Sequence, residues 1–382
     1  IYHVDGEVEP NPYGDIAVLL EDDALEEVMY NGGTQCVKIA HRDHGMCRTN
    51  IWIDDDSGIQ IAKNIAAFTN VPLGDGPGLV PIFDGRLPDG SRVNGTIPPV
   101  TPDGPTLTIR KFREDPLTMI DLVKFGTVNS RLAAMMWVWI EGLDSRPANF
   151  VIAGGTGSGK TTTLNCLGMF IPWHRRLLTV EDTAELQVYH DHWLRMETRR
   201  ERPDGTPEVD MNDCLKSSLR MRPDRIIVGE VRGPEAATLL TAMNTGHDGS
   251  FGSLHANTAQ ETVTRMINPP MNVPPIMLSG LDIIIIQARL HVNGKTARKI
   301  TEVAEIAGME GDKPRLNVIW KYNAATDQIE ETGIPSKLRE IICNAAGVSP
   351  DVFEKHVSQR QAILRDLAQR DIHDIQTVTQ VI

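Results

Sequence analysis

The chain has 382 residues, of which 41% are hydrophobic and 23% charged, values typical of a soluble globular protein with room for two or three domains. Its formal charge of −13 argues against a nucleic acid or an anionic lipid surface as a partner held by bulk electrostatics. Five cysteines are scattered without a C-x-x-C pair, which disfavours a disulfide framework or a zinc site and favours a reducing compartment.

Residues 1–108 are predicted to form a mixed α/β domain, followed by an interdomain linker at 109–118. Residues 22–30 have the apolar spacing of a helix, and a second helix is predicted over 61–68 from its apolar face. Strands are predicted at 35–40 and 48–53, on either side of a turn at 43–45. The order of these elements predicts a separate amino-terminal fold.

Two arginines in this domain are notable for their positions. Arg92 follows a Pro-Asp-Gly turn, and Arg110 lies within an alternating strand. Both could be surface charges in a pair of strands. They could instead point at a phosphate, which a guanidinium recognises with a planar fork of donors. Position alone leaves both interpretations open.

A glycine-rich loop joins an apolar strand at 150–153 to a helix predicted at 161–170, and it matches the template G-x-x-x-x-G-K-[ST]. Its glycines allow backbone N–H groups to turn inward around a phosphate, and the helix adds the positive end of its dipole. Lys160 would reach the β- and γ-phosphate oxygens, while the Thr161 hydroxyl would ligate Mg²⁺. The predicted phosphate-binding residues are Gly154, Gly155, Thr156, Gly157, Ser158, Gly159, Lys160, Thr161 and Thr162. The loop therefore predicts a nucleoside-triphosphate site.

Short apolar strands alternate with helical segments after this loop, which predicts a mainly parallel sheet covered on both faces. These strands are expected at 177–180, 225–228, 250–254 and 282–287. In such sheets, ligands bind beyond the carboxyl ends of the strands. From residue 336 onward, apolar spacing predicts a small helical bundle.

Three of the predicted strands end in ionisable side chains. Glu181 and Asp182 close the first, Glu230 closes the second with Arg232 just behind it, and His255 closes the third. Because parallel strands present the same ends together, we expect the carboxylates and the imidazole to surround one γ-phosphate. There they could ligate Mg²⁺ through water, polarise the attacking water and donate to the leaving charge. Taken singly, each could be a helix N-cap or a buried, satisfied polar group.

Four motifs occur in a characteristic order and spacing: GGTGSGKTT, VEDTAEL, RPDRIIVGEVRGPEA and GHDGSFGSLHAN. They resemble the Walker A motif, Asp box, atypical Walker B motif and His box of the secretion ATPase superfamily, which serves type II secretion, type IV pilus assembly and type IV secretion. LPDGSR, TIRKF, NPPMNVPP and DIIIIQARL look most like the archaeal branch that assembles type IV pili and the archaellum. The tetracysteine zinc insertion common in the bacterial pilus and type II enzymes is missing from the sequence.

The resemblance implies an α/β fold with a RecA-like P-loop ATPase domain, built on a parallel sheet, at 119–335. A PAS-like α/β domain that gates the nucleotide would occupy 1–108, and a helical subdomain 336–382. Among the site residues, Glu181 and Asp182 would be the Asp box carboxylates, Glu230 the water-activating glutamate, Arg232 its neighbour and His255 the sensor of the γ-phosphate. Thr161 would ligate Mg²⁺, with Glu181 and Glu230 acting through water.

The same resemblance implies a ring-shaped homohexamer that binds Mg²⁺ and hydrolyses ATP between its amino- and carboxyl-terminal domains. Arg92 and Arg110 would engage the nucleotide from the amino-terminal domain of the same or a neighbouring subunit. Domain rotation would be transmitted to a polytopic inner-membrane platform protein of a pilin or archaellin export machinery. Such a protein would be cytoplasmic and peripheral at the cytoplasmic face of the cell membrane.

Three other functions remain open from the sequence. A traffic ATPase of a type IV secretion apparatus is compatible with the GHDGS and LHAN forms of the motifs. A nucleic-acid translocase on a RecA-like core is disfavoured by the acidic charge and by the lack of a basic groove with interleaved aromatic residues. A small-molecule kinase would be monomeric and would need an acceptor site.

Overall fold

The computed structural model describes residues 2, 11–69, 71–113, 115–201, 205–292, 294–311 and 313–382. The chain divides into two units, Ile1–Glu114 with Glu201–Pro207 and Asp115–Arg200 with Glu208–Ile382. Among the described residues, no helix combines the length and the apolar character needed to cross a bilayer.

The first unit contains an antiparallel sheet, which in the described residues has six strands in the order β3-β2-β1-β6-β5-β4. The strands are β1 Leu25–Asn31, β2 Lys38–His41, β3 Gly45–Arg48, β4 Ile82–Arg86, β5 Arg92–Thr96 and β6 Thr106–Arg110. The helices are α1 Ala17–Glu21, preceded by a 3-10 turn at Gly14–Ile16, and α2 Asp55–Phe68. α2 begins where the Asp54 side chain accepts the backbone N–H of Ser57, and it buries Ile61 and Ile65 in the core of this unit.

The predicted helix over residues 22–30 is wrong, because this stretch contains the strand β1. Leu25, Val28 and Tyr30 are buried, and β1 pairs with β2 on one side and β6 on the other. Apolar residues three apart fit a helix as well as an irregular strand with a bulge, and a register shift does occur between Leu25 and Glu27. Pairing on both edges overrides the local helical preference.

The second unit contains a mixed sheet, with nine strands among the described residues in the order β15-β14-β13-β12-β7-β11-β10-β8-β9. The strands are β7 Phe150–Ala153, β8 Leu177–Glu181, β9 Trp193–Glu197, β10 Arg225–Val228, β11 Phe251–Leu254, β12 Ile283–Val292, β13 Lys295–Glu310, β14 Lys313–Asn323 and β15 Gln328–Glu331. The five predicted strands, β12, β7, β11, β10 and β8, pair in parallel, as predicted. β9, which was not predicted, adds a further parallel strand beside β8. β13, β14 and β15 extend the sheet as antiparallel strands that were not predicted.

Helices cover both faces of this sheet. Alternating residues of a strand point to opposite faces, and here they lie in two separate clusters of buried apolar residues, one on each face. The helices are α3 Met119–Lys124, α4 Ser130–Glu141, α5 Lys160–Gly168, α6 Met211–Ser218, α7 Glu235–Asn244, α8 Ala259–Ile267, α9 Lys337–Ala346, α10 Pro350–Gln369 and α11 Ile375–Val381, with 3-10 turns at Gly142–Asp144 and Pro275–Gly280. The predicted α/β class, with a parallel sheet behind the glycine-rich loop and a separate amino-terminal α/β unit, is confirmed.

Candidate nucleotide-binding and hydrolysis site

The glycine-rich loop connects β7 to α5, as its sequence predicts. Three of its glycines cannot be replaced without strain. A Cβ on Gly154 would lie 2.1 Å from the carbonyl oxygen of Gln287, and Gly157 and Gly159 have φ angles of +71° and +93°, in the left-handed region. Gly159 is also the N-cap of α5 and offers no side-chain oxygen to its first turn. Gly159 therefore leaves the first backbone N–H groups of α5 without a side-chain cap. Uncapped N–H groups at the start of a helix can donate hydrogen bonds to a bound anion.

The polar side chains of the loop fit a phosphate group. Lys160 is largely buried, and its Nζ donates to the carbonyl oxygens of Gly154 at 2.9 Å and Gly155 at 3.2 Å. Burial lowers the pKa of the Lys160 ammonium, because desolvation disfavours its charge. The Ser158 hydroxyl is also buried and has no hydrogen-bond partner in the part of the chain that the structure describes. A cation, an orphaned hydroxyl and a helix amino terminus are together suited to a triphosphate.

His255 connects the loop to the predicted strand-end carboxylate. Its Nδ1 lies 3.4 Å from the Nζ of Lys160, and its Nε2 lies 2.9 Å from the Oε1 of Glu230. These contacts assign the tautomer in which Nε2–H donates to the carboxylate and Nδ1 accepts from the ammonium. The parallel register of β8, β10 and β11 explains the juxtaposition, because it brings their carboxyl ends to one edge.

Arg232 completes this cluster. Its Nε and Nη2 donate to the Oε1 and Oε2 of Glu230, both at 2.8 Å, and its Nη1 lies 3.3 Å from the Oδ2 of Asp182. Burial alone would raise the pKa of Glu230, but the hydrogen bond and charge of Arg232, with His255 and Lys160, hold that pKa below its ordinary value. Glu230 is therefore ionised at neutral pH.

Glu181 is placed differently from the other predicted carboxylates. It is 3% exposed, and its Oε1 accepts the backbone N–H groups of Glu185 at 3.0 Å and Leu186 at 2.9 Å. Burial raises its pKa to about 7. The structure thus brings Lys160, Asp182, Glu230, Arg232 and His255 into one chain of contacts. In the part of the protein that the structure describes, no hydrogen bond or ion pair links the Glu181 carboxylate to this series of side chains.

Two side chains that support the loop were not predicted. Gln287, at 1% exposure, accepts the Thr163 hydroxyl hydrogen bond through Oε1 at 2.7 Å. Arg298 donates from Nε to the carbonyl oxygen of Gly157 at 3.1 Å. Gln287 could have been found, because it follows the apolar run of a predicted strand in the same way as Glu181 does. Arg298 has no such signal, because it lies on the unpredicted strand β13.

The family of this chain is shown by a match over residues 77–363 to the model of the "Type II/IV secretion system protein" family. That match covers well over half of the sequence. The chain belongs to the type II/IV secretion system protein family. The resemblance to the secretion ATPase superfamily that its motifs indicate is thereby confirmed.

Proteins of several organisms resemble the chain along most of its length. An uncharacterized protein of Methanocaldococcus jannaschii is 32% identical, over 97% of this chain and 74% of its own length. A putative conjugal transfer protein of Mycobacterium tuberculosis is 32% identical, over 78% of this chain and 87% of its own. The X-ray structure of the Legionella pneumophila ATPase DotB covers 97% of this chain and 91% of its own, with 17% identity and a TM-score of 0.54. This last likeness shows a shared fold.

In this secretion family protein, the two predicted arginines of the first unit lie in one row. Arg92 on β5 pairs directly with Arg110 on β6, and Arg86 on β4 pairs directly with Arg92. Directly opposed residues of antiparallel strands place their side chains on the same face of the sheet. The row therefore contains a third arginine, Arg86, that the sequence did not indicate. Its guanidinium lies 6.0 Å from the ring centre of Phe112.

Proposed function

We propose that the protein is a Mg²⁺-dependent ATPase that works as a homohexameric ring. In this proposal it powers assembly of a type IV pilus-like filament, an archaeal pilus or archaellum, through a polytopic inner-membrane platform protein. The observation that carries the ATPase activity is the continuous chain of contacts from Lys160 through His255 to Glu230 and Arg232. It joins the phosphate loop to a carboxylate held in its ionised form.

The free acceptor capacity of Glu230 supports a role in orienting water. A carboxylate has about four lone-pair sites. Arg232 Nε and His255 Nε2 both engage Oε1, and Arg232 Nη2 engages Oε2. Among the contacts of the described residues, one site on Oε2 remains for the attacking water, whose proton the ionised carboxylate can accept. Arg232 and His255 thus fix the orientation of the Glu230 carboxylate without occupying all of its acceptor sites.

The donor set also fits Mg²⁺, which favours oxygen ligands and binds nucleotide phosphates. The Thr161 hydroxyl in the first turn of α5 would hold the ion, with Asp182 and Glu230 reaching it through water. When bound, Mg²⁺ neutralises charge that develops on the phosphate oxygens. The residues of this chain then position the phosphates and the water.

The arginine row supports a role for the first unit in binding the nucleotide. The register places Arg86, Arg92 and Arg110 side by side on one face of the sheet. Guanidinium groups bind phosphate oxygens through a planar fork of donors, which suits this face to the phosphates of a nucleotide. If the arginines and the loop bind one nucleotide from different units or subunits, hydrolysis is coupled to relative motion of those units. This coupling is what a ring-shaped motor requires.

The filament-assembly role rests on the archaeal resemblance. The M. jannaschii protein aligns over 97% of this chain, so the likeness includes both units, and the LPDGSR and NPPMNVPP stretches resemble the archaeal pilus and archaellum branch. The partners would be pilin or archaellin export components at the cytoplasmic face of the cell membrane, without nucleic acid. A second candidate, a type IV secretion traffic ATPase, is favoured by the likeness to a putative conjugal transfer protein.

The proposal is tested with the purified protein and in its native host. We expect ATP hydrolysis without DNA or RNA, and a solution mass of six chains in the presence of ATP and Mg²⁺. Deletion of the gene should remove surface filaments seen by electron microscopy, and co-purification should recover a polytopic membrane protein. Intact filaments together with loss of protein or DNA transfer would select the secretion alternative. A monomer that hydrolyses ATP only with nucleic acid or a small acceptor would refute both.

Arg92→Ala should reduce turnover by about 100- to 1,000-fold, the range for loss of one donor to the transition state, and should weaken ATP binding less. The reason is that a guanidinium from the first unit would contact charge that increases during the reaction. Steady-state hydrolysis and direct titration of ATP measure the two effects separately. Lys63→Ala, an exposed lysine on α2, is the matched control. Kinetics unchanged from wild type in Arg92→Ala would assign Arg92 to the surface.

A further inference from the structure

The segment after β8 has no regular secondary structure from residue 184 to 190. Because no neighbouring strand pairs with it, its backbone N–H groups need other partners. Glu181, the last residue of β8, supplies one acceptor atom that serves two of these N–H groups. Its Oε1 accepts the N–H of Glu185 and the N–H of Leu186, at 3.0 and 2.9 Å.

The next amide of the segment is held by the helix that follows the phosphate loop. Asn165 on α5 accepts the backbone N–H of Gln187 through Oδ1 at 2.8 Å, and Asn165 is only 9% exposed. α5 also packs on the segment at Gly168, where a Cβ would lie 3.0 Å from each methyl carbon of Val188. Successive amides 185, 186 and 187 are therefore fixed by buried side chains from two different elements.

Glu181 also supports the strand end that carries Glu230. A Cβ on Gly229 would lie 2.9 Å from the Cγ of Glu181, so the two residues are in tight contact. The N–H of Gly229 in turn donates to the carbonyl oxygen of Val180 at 2.9 Å. One buried side chain thus contacts both the segment beyond Asp182 and the backbone just before Glu230.

We propose that Glu181 and Asn165 are positioning residues that form a clamp. The clamp fixes residues 185–187 to α5 and to β8, and Glu181 does not ligate Mg²⁺ through water as its place in the Asp box predicts. This inference rests on the proposed ATPase function. We base it on the geometry, because the Glu181 carboxylate is buried, with Oε1 engaged by two amides and Oε2 enclosed without a hydrogen-bond partner among the described residues, whereas the neighbouring Asp182 has an exposed side chain paired with Arg232.

Kinetics of substituted proteins separate a clamp from a metal ligand. Glu181→Ala and Asn165→Ala should each lower kcat by about 10- to 100-fold, because misplaced groups reduce the rate more than they reduce binding. The Mg²⁺ concentration for half-maximal activity should stay within about twofold of wild type in both, since neither side chain binds the ion. Glu181→Gln retains an acceptor oxygen of the same reach and should restore turnover to within about threefold of wild type.

The double variant adds a second criterion. Because both side chains hold one segment, Glu181→Ala and Asn165→Ala combined should lower kcat by less than the product of the single effects. Asn344→Ala, a similar change on α9 in the same unit, is the matched control for loss of an asparagine. Two results together would overturn the clamp. The first is a tenfold or larger rise in the Mg²⁺ concentration that Glu181→Gln needs for half-maximal activity. The second is a loss of kcat in the double variant equal to the product of the losses in the two single variants.

Hydrogen exchange tests the clamp without any activity. The amides of residues 185–187 should be protected from exchange in the wild-type protein. In Glu181→Ala these amides should exchange about tenfold faster, and in Asn165→Ala the amide of Gln187 should exchange about tenfold faster. Exchange in β7 and β12, which make no hydrogen bond to Glu181 or Asn165 among the described residues, should be unaffected, and this result would exclude general unfolding. Unchanged protection at 185–187 would refute the clamp. If the wild-type protein does not hydrolyse ATP, the proposed function fails while this measurement still decides the clamp.

Discussion

Glu230→Gln is expected to bind ATP with nearly wild-type affinity and to hydrolyse it about 10²- to 10⁴-fold more slowly, the usual contribution of a positioned general base. The amide has the size of the carboxylate and can still accept from Arg232 and His255. It carries no charge and cannot take a proton from the attacking water. The loss should therefore appear in kcat, with the dissociation constant for ATP almost unchanged.

Steady-state phosphate release and titration with ATP under non-hydrolysing conditions measure these two quantities. Glu330→Gln makes the same chemical change on β15, where Glu330 accepts from Thr326 and Asn323, and it should leave turnover unchanged. If Glu230→Gln turned over at the wild-type rate, Glu230 would have no place in the mechanism. A large loss of ATP affinity would instead assign it to binding.

Lys160→Ala is expected to weaken ATP binding by about 100-fold, as loss of hydrogen bonds from a charged group implies, and turnover should become undetectable. The ammonium is buried in the loop, and it contacts the carbonyl oxygens of Gly154 and Gly155 and the imidazole of His255. Its removal deletes the cation that the glycine-rich loop itself supplies. It also removes the partner that fixes the His255 tautomer.

Calorimetric titration with ATP and Mg²⁺ measures the affinity of Lys160→Ala. Lys216→Ala on the exposed face of α6 removes a lysine from the same unit and should bind ATP as the wild type does. Circular dichroism establishes that Lys160→Ala is folded. Wild-type affinity in a folded Lys160→Ala protein would show that the loop does not bind the nucleotide.

The site was predictable from sequence where local patterns determine it. The phosphate loop follows from a fixed spacing of glycines, Lys160 and Thr161. The meeting of Glu230 and His255 follows from a topological rule, because parallel strands bring their carboxyl ends to one edge. Neither step required knowledge of distant contacts. The register then determined the 2.9 Å contact between the two side chains.

The remaining features depend on contacts that sequence patterns do not encode. Glu181 and Asp182 are adjacent in sequence, yet successive side chains at a strand end point in different directions, so one is buried and the other exposed. β1 resembles a helix until its two neighbouring strands are known. Arg298 reaches Gly157 because β13 pairs with β12 through a long hairpin, a pairing between strands that no local motif indicates.

β12 connects the strand that leads into the glycine-rich loop with the strands that contact the carboxyl-terminal helices. β12 pairs in parallel with β7, which leads into the phosphate loop, and in antiparallel fashion with β13. Glu305 on β13 accepts hydrogen bonds from the Ser336 hydroxyl and from the Lys337 N–H, at 2.8 Å for the latter, where α9 begins. We therefore expect a shift of the loop to reach the start of α9 through two rows of ladder hydrogen bonds. A fluorescent label on α9 should then report nucleotide-dependent changes at the loop.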